Sequence, residues 1–228
     1  MIIECVWEHN GEDTLLYAAN LPGAYTRGAS RDIAVQKMIQ EAVNYLQWAE
    51  MPVPEQLFVE IVQDAPCDLQ VKDADSDVLF DSEKPPLTYE EYARMKALAL
   101  KSAEDFLTLY TAVPDKQKSV LPMRETFYGQ VPCTAEEMYI HTKNVNAYYF
   151  GEIEVDADNN GTILDCRRRG FEALECQPDF LSNPIFEGSY GEFWTLRKVL
   201  RRFLGHDRIH AKAMYRMAVK TFGAVPRK

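Results

Sequence analysis

Residues 193–217 read FWTLRKVLRRFLGHDRIHAKAMYRM, and the spacing within this stretch decides what the C-terminal half of the chain can be. Val199, Phe203, His206, His210, Ala213 and Met217 recur at intervals of four, three, four, three and four. Such positions share one face of an α-helix, so the stretch predicts the inward seam of a long helix from about Phe193 to Thr221. Two imidazoles on that face need an explanation. They are either core histidines with satisfied hydrogen bonds or ligands of one metal ion, because buried ring nitrogens without partners are costly.

A second stretch sharpens the choice. In TAEEMYIHTKNVNAYYFGEI, residues 134–153, Thr134, Met138, His141, Val145 and Tyr148 follow the same spacing of four, three, four and three. His141 therefore falls on an inward seam of its own helix. Two histidines at i and i+4 reach a common ion readily, and a third from another helix completes the three-ligand set of a catalytic metal site. His141, His206 and His210 are the expected metal ligands.

A zincin metalloprotease is the natural competitor, with Asp207 where His-Glu-x-x-His carries its glutamate. Aspartate is a short substitute for that general base. Only 18 residues follow His210, and none is Asp, Glu or His. A downstream third ligand is not expected, which sends the search upstream to His141.

Further from this centre, Thr88 and Glu91 form a capping box that opens a helix ending near Pro114. Thr134 and Glu137 form a second box. A shorter helical piece is expected over 163–176, and an irregular loop then leads into the last helix. Four helices over residues 85–228 predict a helix bundle.

In these residues the chain resembles the DinB/YfiT-like four-helix bundles. The segment 134–153 resembles that family's second helix, with its single inward histidine and following aromatics. The stretch 193–217 resembles its last helix, where an arginine-rich approach and a leucine precede His-x-x-x-His. The resemblance spans roughly 88–228 and implies a divalent metal, Zn or Ni, held by His141, His206 and His210. It also implies a thiol-dependent S-transferase or a hydrolase, with a low-molecular-weight thiol as cosubstrate and a small-molecule substrate. No catalytic residue is assigned. Glu137, Asn144, Tyr148 and Asp207 are candidates for acid/base or supporting roles beside the metal. Arg197, Arg201, Arg202 and Arg208 would attract an anionic substrate or form a solvated face.

The N-terminal third reads differently. Strand-forming runs at 2–8 and 14–19 flank Asn10-Gly11, a tight-turn signal that predicts a hairpin with His9 exposed at the turn. A short strand follows Pro22-Gly23. Ser30 then caps a helix over 31–50, whose apolar positions are Ile33, Val35, Met38, Ile39, Ala42, Val43 and Leu46. A strand is expected at 56–63, and Pro85-Pro86 mark a boundary after an acidic, turn-rich run. The order β-β-β-α-β, carried by LPGAYTRGASRDIAVQKMIQEAVNYLQWAE at 21–50, resembles the HicB-like small domains. The fold class expected is α+β in two domains, a HicB-like domain at 1–84 and a DinB-like four-helix bundle at 85–228. The DinB-like bundle usually stands alone, so the first domain is an addition that either covers the site or mediates assembly. The long irregular stretch 155–192 is expected to shape the mouth of the site.

Charge and cysteine usage bound the rest. Formal net charge is -10, against nucleic-acid or anionic-membrane binding. Residues 1–87 hold 5 Lys or Arg against 16 Asp or Glu, whereas the remainder holds 20 against 19. An acidic first domain makes a rival reading concrete, a non-enzymatic interaction or regulatory protein that meets a basic partner, or forms a homodimer, through that domain. The N-terminus lacks a basic region followed by an apolar core, so no signal peptide is expected. No apolar run approaches the roughly 18–20 residues of a membrane span. Five cysteines without short repeated spacing are expected to be reduced, mostly buried thiols in a cytoplasmic protein.

Overall fold

The computed structural model describes residues 1–68, 76–126 and 129–223. It is an α+β chain with a small N-terminal sheet and, among the described residues, five α-helices. Two compact units emerge, Met1–Pro86 with Asn183–Arg201, and Leu87–Ser182 with Arg202–Lys228. The expected division at 84/85 does not anticipate that 183–201 groups with the N-terminal sheet.

In the first unit, β1 (Ile2–Asn10) and β2 (Asp13–Ala18) form the hairpin expected around Asn10-Gly11, with Gly11 at φ +62. β3 (Tyr25–Gly28) pairs with β2, and β4 (Phe58–Pro66) runs parallel to β1, giving the order β3-β2-β1-β4. His9 lies on β1 and is only half-buried rather than exposed. Its ring stacks on Trp7 at 3.8 Å, and Nε2 lies 2.9 Å from Asp64 Oδ1.

The helix α1 (Arg31–Trp48) is capped by Ser30, whose side chain accepts from the Ile33 N–H. Its buried face is Ala34, Met38, Glu41, Ala42, Tyr45 and Leu46, with Ile33 and Ile39 exposed. The helix is thus rolled by about one residue from the expected phase. Ala34, Met38, Tyr45 and Leu46 pack on Ile3, Cys5, Leu16 and Ala18 of the sheet. The crossing is close at Gly28, where a Cβ would stand 2.6 Å from the Ser30 carbonyl.

The opposite sheet face is also covered. A bulge between β1 and β4 pairs Gln63 with Val6 and turns it to this face. There Gln63 donates to the Leu79 carbonyl at 3.2 Å and accepts from the Asp81 N–H at 2.8 Å. Val6, Val78 and Phe80 form a small second core. The middle of the acidic run, 69–75, lies outside the described residues.

The stretch 183–201 is pinned to this face by buried charges. Arg201 pairs with Glu83, donates to the Val78 carbonyl at 3.0 Å and stacks 3.9 Å from the Phe80 ring. Lys198, fully buried, donates to the Asp77 carbonyl at 2.7 Å and to Glu192 Oε2 at 3.1 Å. Phe193 and Trp194, expected to begin the last helix, instead form a strand pairing with Phe186 and Glu187. Thr195 then caps the helix by accepting from the Lys198 N–H.

The second unit holds α2 (Tyr89–Ala112), α3 (Ala135–Gly151), α4 (Ile163–Glu175) and the larger part of α5 (Leu196–Phe222). Both expected capping boxes form, Thr88 with Glu91 and Thr134 with Glu137, and Thr162 with Asp165 makes a third. One core draws on all four helices, with Phe106, Met138, Ile163, Met214 and Met217 among its members. At the α3–α4 crossing Gly170 lies under Phe150, and a Cβ there would stand 2.2 Å from the ring.

Cys5 and Cys166 are buried, Cys67 and Cys133 half-buried and Cys176 exposed, so the thiols are less uniformly buried than expected. No helix among the described residues is long and apolar enough to cross a membrane.

Candidate metal centre

The three seam histidines come together. His141 from α3 and His206 and His210 from α5 place their ligand nitrogens within 4.8 Å of one another. Ring centroids are separated by 5.0 Å (His141 and His206), 4.7 Å (His141 and His210) and 4.5 Å (His206 and His210). Nε2 of His206 lies 3.2 Å from Nε2 of His141. Two nitrogens bound tetrahedrally to one zinc at about 2.0–2.1 Å lie about 3.3–3.4 Å apart, so this pair already has ligand spacing.

The route to this geometry corrects the expected seams. On α3 the buried positions are Ala135, Met138, Thr142, Asn146, Tyr149 and Phe150, and His141 is exposed at the rim. On α5, Val199, Phe203 and Met217 are buried as expected, but His206, His210 and Ala213 are half-buried, while Asp207, Arg208 and Met214 are buried. Both helices are rolled by about one residue, so the histidines occupy the shoulders of the apolar faces. A shoulder suits a reactive centre better than a core, because it borders solvent.

Burial and electrostatics keep His206 and His141 neutral. Burial first, then the His210 and His141 imidazoles and the cations of Arg202 and Arg167, hold His206 well below the ordinary value near 6.5. Partial burial lowers His141 as well. Neutral imidazole is the form that binds metal. His206 Nδ1 is buried without a hydrogen-bond partner, which costs about 1–3 kcal/mol, and a bond from Nε2 to an ion would offset that cost. The donor set and the spacing therefore fit a divalent ion.

A ring that is neutral when folded and protonated when unfolded stabilises the fold fully above about pH 6.5, and less as pH falls below it. The urea midpoint of metal-stripped protein should therefore fall more steeply from about pH 7 to about pH 5 than that of His206→Gln. Parallel profiles would contradict this assignment.

The candidate supporting residues separate. The Glu137 carboxylate accepts from the Cys133 and Thr134 N–H groups, which hold it below its usual range, so it serves as a helix cap. Asn144 is exposed and its carbonyl accepts from Asn159 Nδ2. Tyr148 is half-buried, its ring 5.4 Å from Tyr149. Tyr149, off the expected seam, lies 6.1 Å from the His206 ring and 5.4 Å from the Arg202 guanidinium. The four arginines do not form a solvated face. Arg197 donates to the Pro85 and Pro86 carbonyls, Arg201 is buried against Glu83, and Arg208 is buried.

Asp207 is 1% exposed and faces away from the triad. It accepts from Arg167, Nη1 to Oδ2 and Nη2 to Oδ1 each at 3.3 Å, and from Ser102 Oγ at 2.6 Å. Burial pushes its carboxyl up, while Arg167 and Ser102 pull it down. Arg167, itself fully buried, went unnoticed in the run Arg167-Arg168-Arg169, although its place between Ile163, Gly170 and Leu174 on the apolar face of α4 was the available signal.

A second cation site is closed off. The loop Asp156-Ala-Asp158-Asn-Asn160-Gly161 has the opening spacing of a calcium loop, but position twelve is Arg167 rather than glutamate. Arg169 Nη2 donates to Asp158 Oδ1 at 2.6 Å and to the Asn160 carbonyl at 2.7 Å, so the chain supplies its own cation there.

Comparison of the chain with family models, with curated proteins and with solved structures returned no match.

Proposed function

We propose that residues 85–228 form a DinB-like four-helix bundle whose His141, His206 and His210 hold a divalent metal. In this reading residues 1–84 are an appended HicB-like domain, and the protein is a metal-dependent enzyme of S-transferase or hydrolase type acting on a small molecule. The observation that carries the reading is the gathering of three imidazoles, one 65 residues from the next, with Nε2 atoms of two helices 3.2 Å apart. Three nitrogen donors without a carboxylate favour zinc or nickel over magnesium or calcium. A divalent ion there supplies Lewis acidity and acidifies a coordinated water or low-molecular-weight thiol. The protein's own part is to hold the His141 and His206 rings neutral and to line the site with Tyr149 and Arg202. The Arg167–Asp207 pair keeps its carboxylate turned away from the ligands.

Elemental analysis of protein purified without a histidine tag tests this. About one equivalent of zinc or nickel per chain is expected, dropping below about a tenth in His206→Ala and His210→Ala. Less than about three tenths of an equivalent in wild type, unchanged by the substitutions and by zinc reconstitution, would refute the metal centre.

A further inference from the structure

Behind the histidines lies a buried polar network that belongs to no ligand set. It takes one group from each helix of the second unit: Ser102 of α2, Asn146 of α3, Arg167 of α4 and Asp207 of α5. Arg167 Nε donates to Asn146 Oδ1 at 3.2 Å, and its two terminal nitrogens engage both Asp207 oxygens. Asn146 is itself fixed, donating to the Asp158 and Cys166 carbonyls at 2.9 and 3.1 Å. The guanidinium lies 3.6 Å from the Phe203 ring, one turn before Asp207. None of the four polar residues is more than 3% exposed.

We propose that this network is the positioning device of the histidine centre, a cross-brace that sets the roll and register of α5 against α3 and thereby brings His206 to His141. The inference rests on the metal reading only for its purpose, not for its geometry. Apolar faces are permissive: a helix can roll by a fraction of a residue and still bury similar side chains. A forked guanidinium–carboxylate pair is not, because its two bonds require both distance and orientation. Successive helix residues are about 100° apart, so turning Asp207 into the core dictates that His206 points to the shoulder, with His210 one turn on. Asn146 does the same for α3, five residues beyond His141. A buried ion pair is a poor source of stability compared with apolar packing, and fixing register is its best-attested use.

The test is the full-length chain with Arg167→Met and Asp207→Leu combined, read by thermal melting, by competitive zinc titration and by NOEs between the His141 and His206 ring protons in metal-free protein. The double variant is expected to fold with a wild-type or higher melting temperature, to lose the inter-ring NOEs and to bind zinc about 10- to 100-fold more weakly. A folded double variant with wild-type NOEs and affinity would overturn the proposal, as would wild-type protein without the NOEs. Loss of the NOEs in the variant, with no zinc uptake by either protein, would uphold the brace and reject the metal. Ser102→Ala keeps the ion pair and serves if the double variant fails to fold. Weaker inter-ring NOEs and about a two- to tenfold loss of zinc affinity are expected, and no change in either would overturn the proposal.

Discussion

Asp207→Ala is expected to destabilise the metal-free protein by about 3–5 kcal/mol in urea denaturation, the range for removing one partner of a buried ion pair. The cost is not the lost attraction alone. With the carboxylate gone, the Arg167 guanidinium remains 0% exposed with only the Asn146 carbonyl oxygen as a side-chain acceptor from the network. Arginine does not deprotonate in compensation. The single Ser102 hydroxyl proton, freed from Asp207, can turn to the Ala99 carbonyl 3.0 Å away, so its share of the loss is small. Asp207→Asn preserves shape and one acceptor oxygen but still strands the charge, and should fall between alanine and wild type. A loss below about 1 kcal/mol for Asp207→Ala would mean that solvent reaches Arg167 and that the pair is not buried in solution.

What could be read from the sequence was local chemistry. Ser30, Thr88 and Thr134 announced helix starts because a capping side chain is visible without any partner, and for the two threonines so is the glutamate three places on. The hairpin at Asn10-Gly11 and the shared helix face of His206 and His210 were legible for a related reason: turn preference and helical spacing are properties of short windows, and His141 joined them only through the need for a third ligand. Helix phase was harder. On α3, Thr134 competes with Ala135 and Tyr148 with Tyr149 one position away, so periodicity alone could not choose between adjacent seams. On α1, Ile33 outranks Ala34 in hydrophobicity, yet the close approach of β3 and α1 at Gly28 admits the smaller side chain.

Long-range pairing of charges was not legible. Asp207 is buried because Arg167 arrives from another helix, and Arg201 groups with the sheet because Glu83 meets it across more than a hundred residues. Charged residues carry a strong prior for solvent, and only a partner distant in sequence overturns it. Among the residues most easily mistaken for surface are therefore Arg167 and Asp207, the pair proposed to set the geometry of the candidate site.

Phe203→Ala should be the largest apolar loss in the second unit, about 3–5 kcal/mol. Phe203 is 0% exposed, and its ring lies 5.3, 5.2 and 6.3 Å from those of Tyr149, Phe150 and Phe171. Truncation removes the aromatic contacts of α5 with α3 and α4, and it uncovers the Arg167 guanidinium 3.6 Å above the ring. A desolvated cation over an aromatic face is worth about 2 kcal/mol, so part of the loss belongs to the brace rather than to the core. Phe193, 53% exposed, is the control, and Phe193→Ala should stay within about 0.5 kcal/mol of wild type. Because Phe203 and Asp207 both act on Arg167, their alanine losses should not add. The double variant is expected to fall short of the sum by about 0.5–3 kcal/mol in a double-mutant cycle. Strict additivity would show that the ring and the carboxylate hold Arg167 independently, and the helix would then be set by packing on one side and charge on the other.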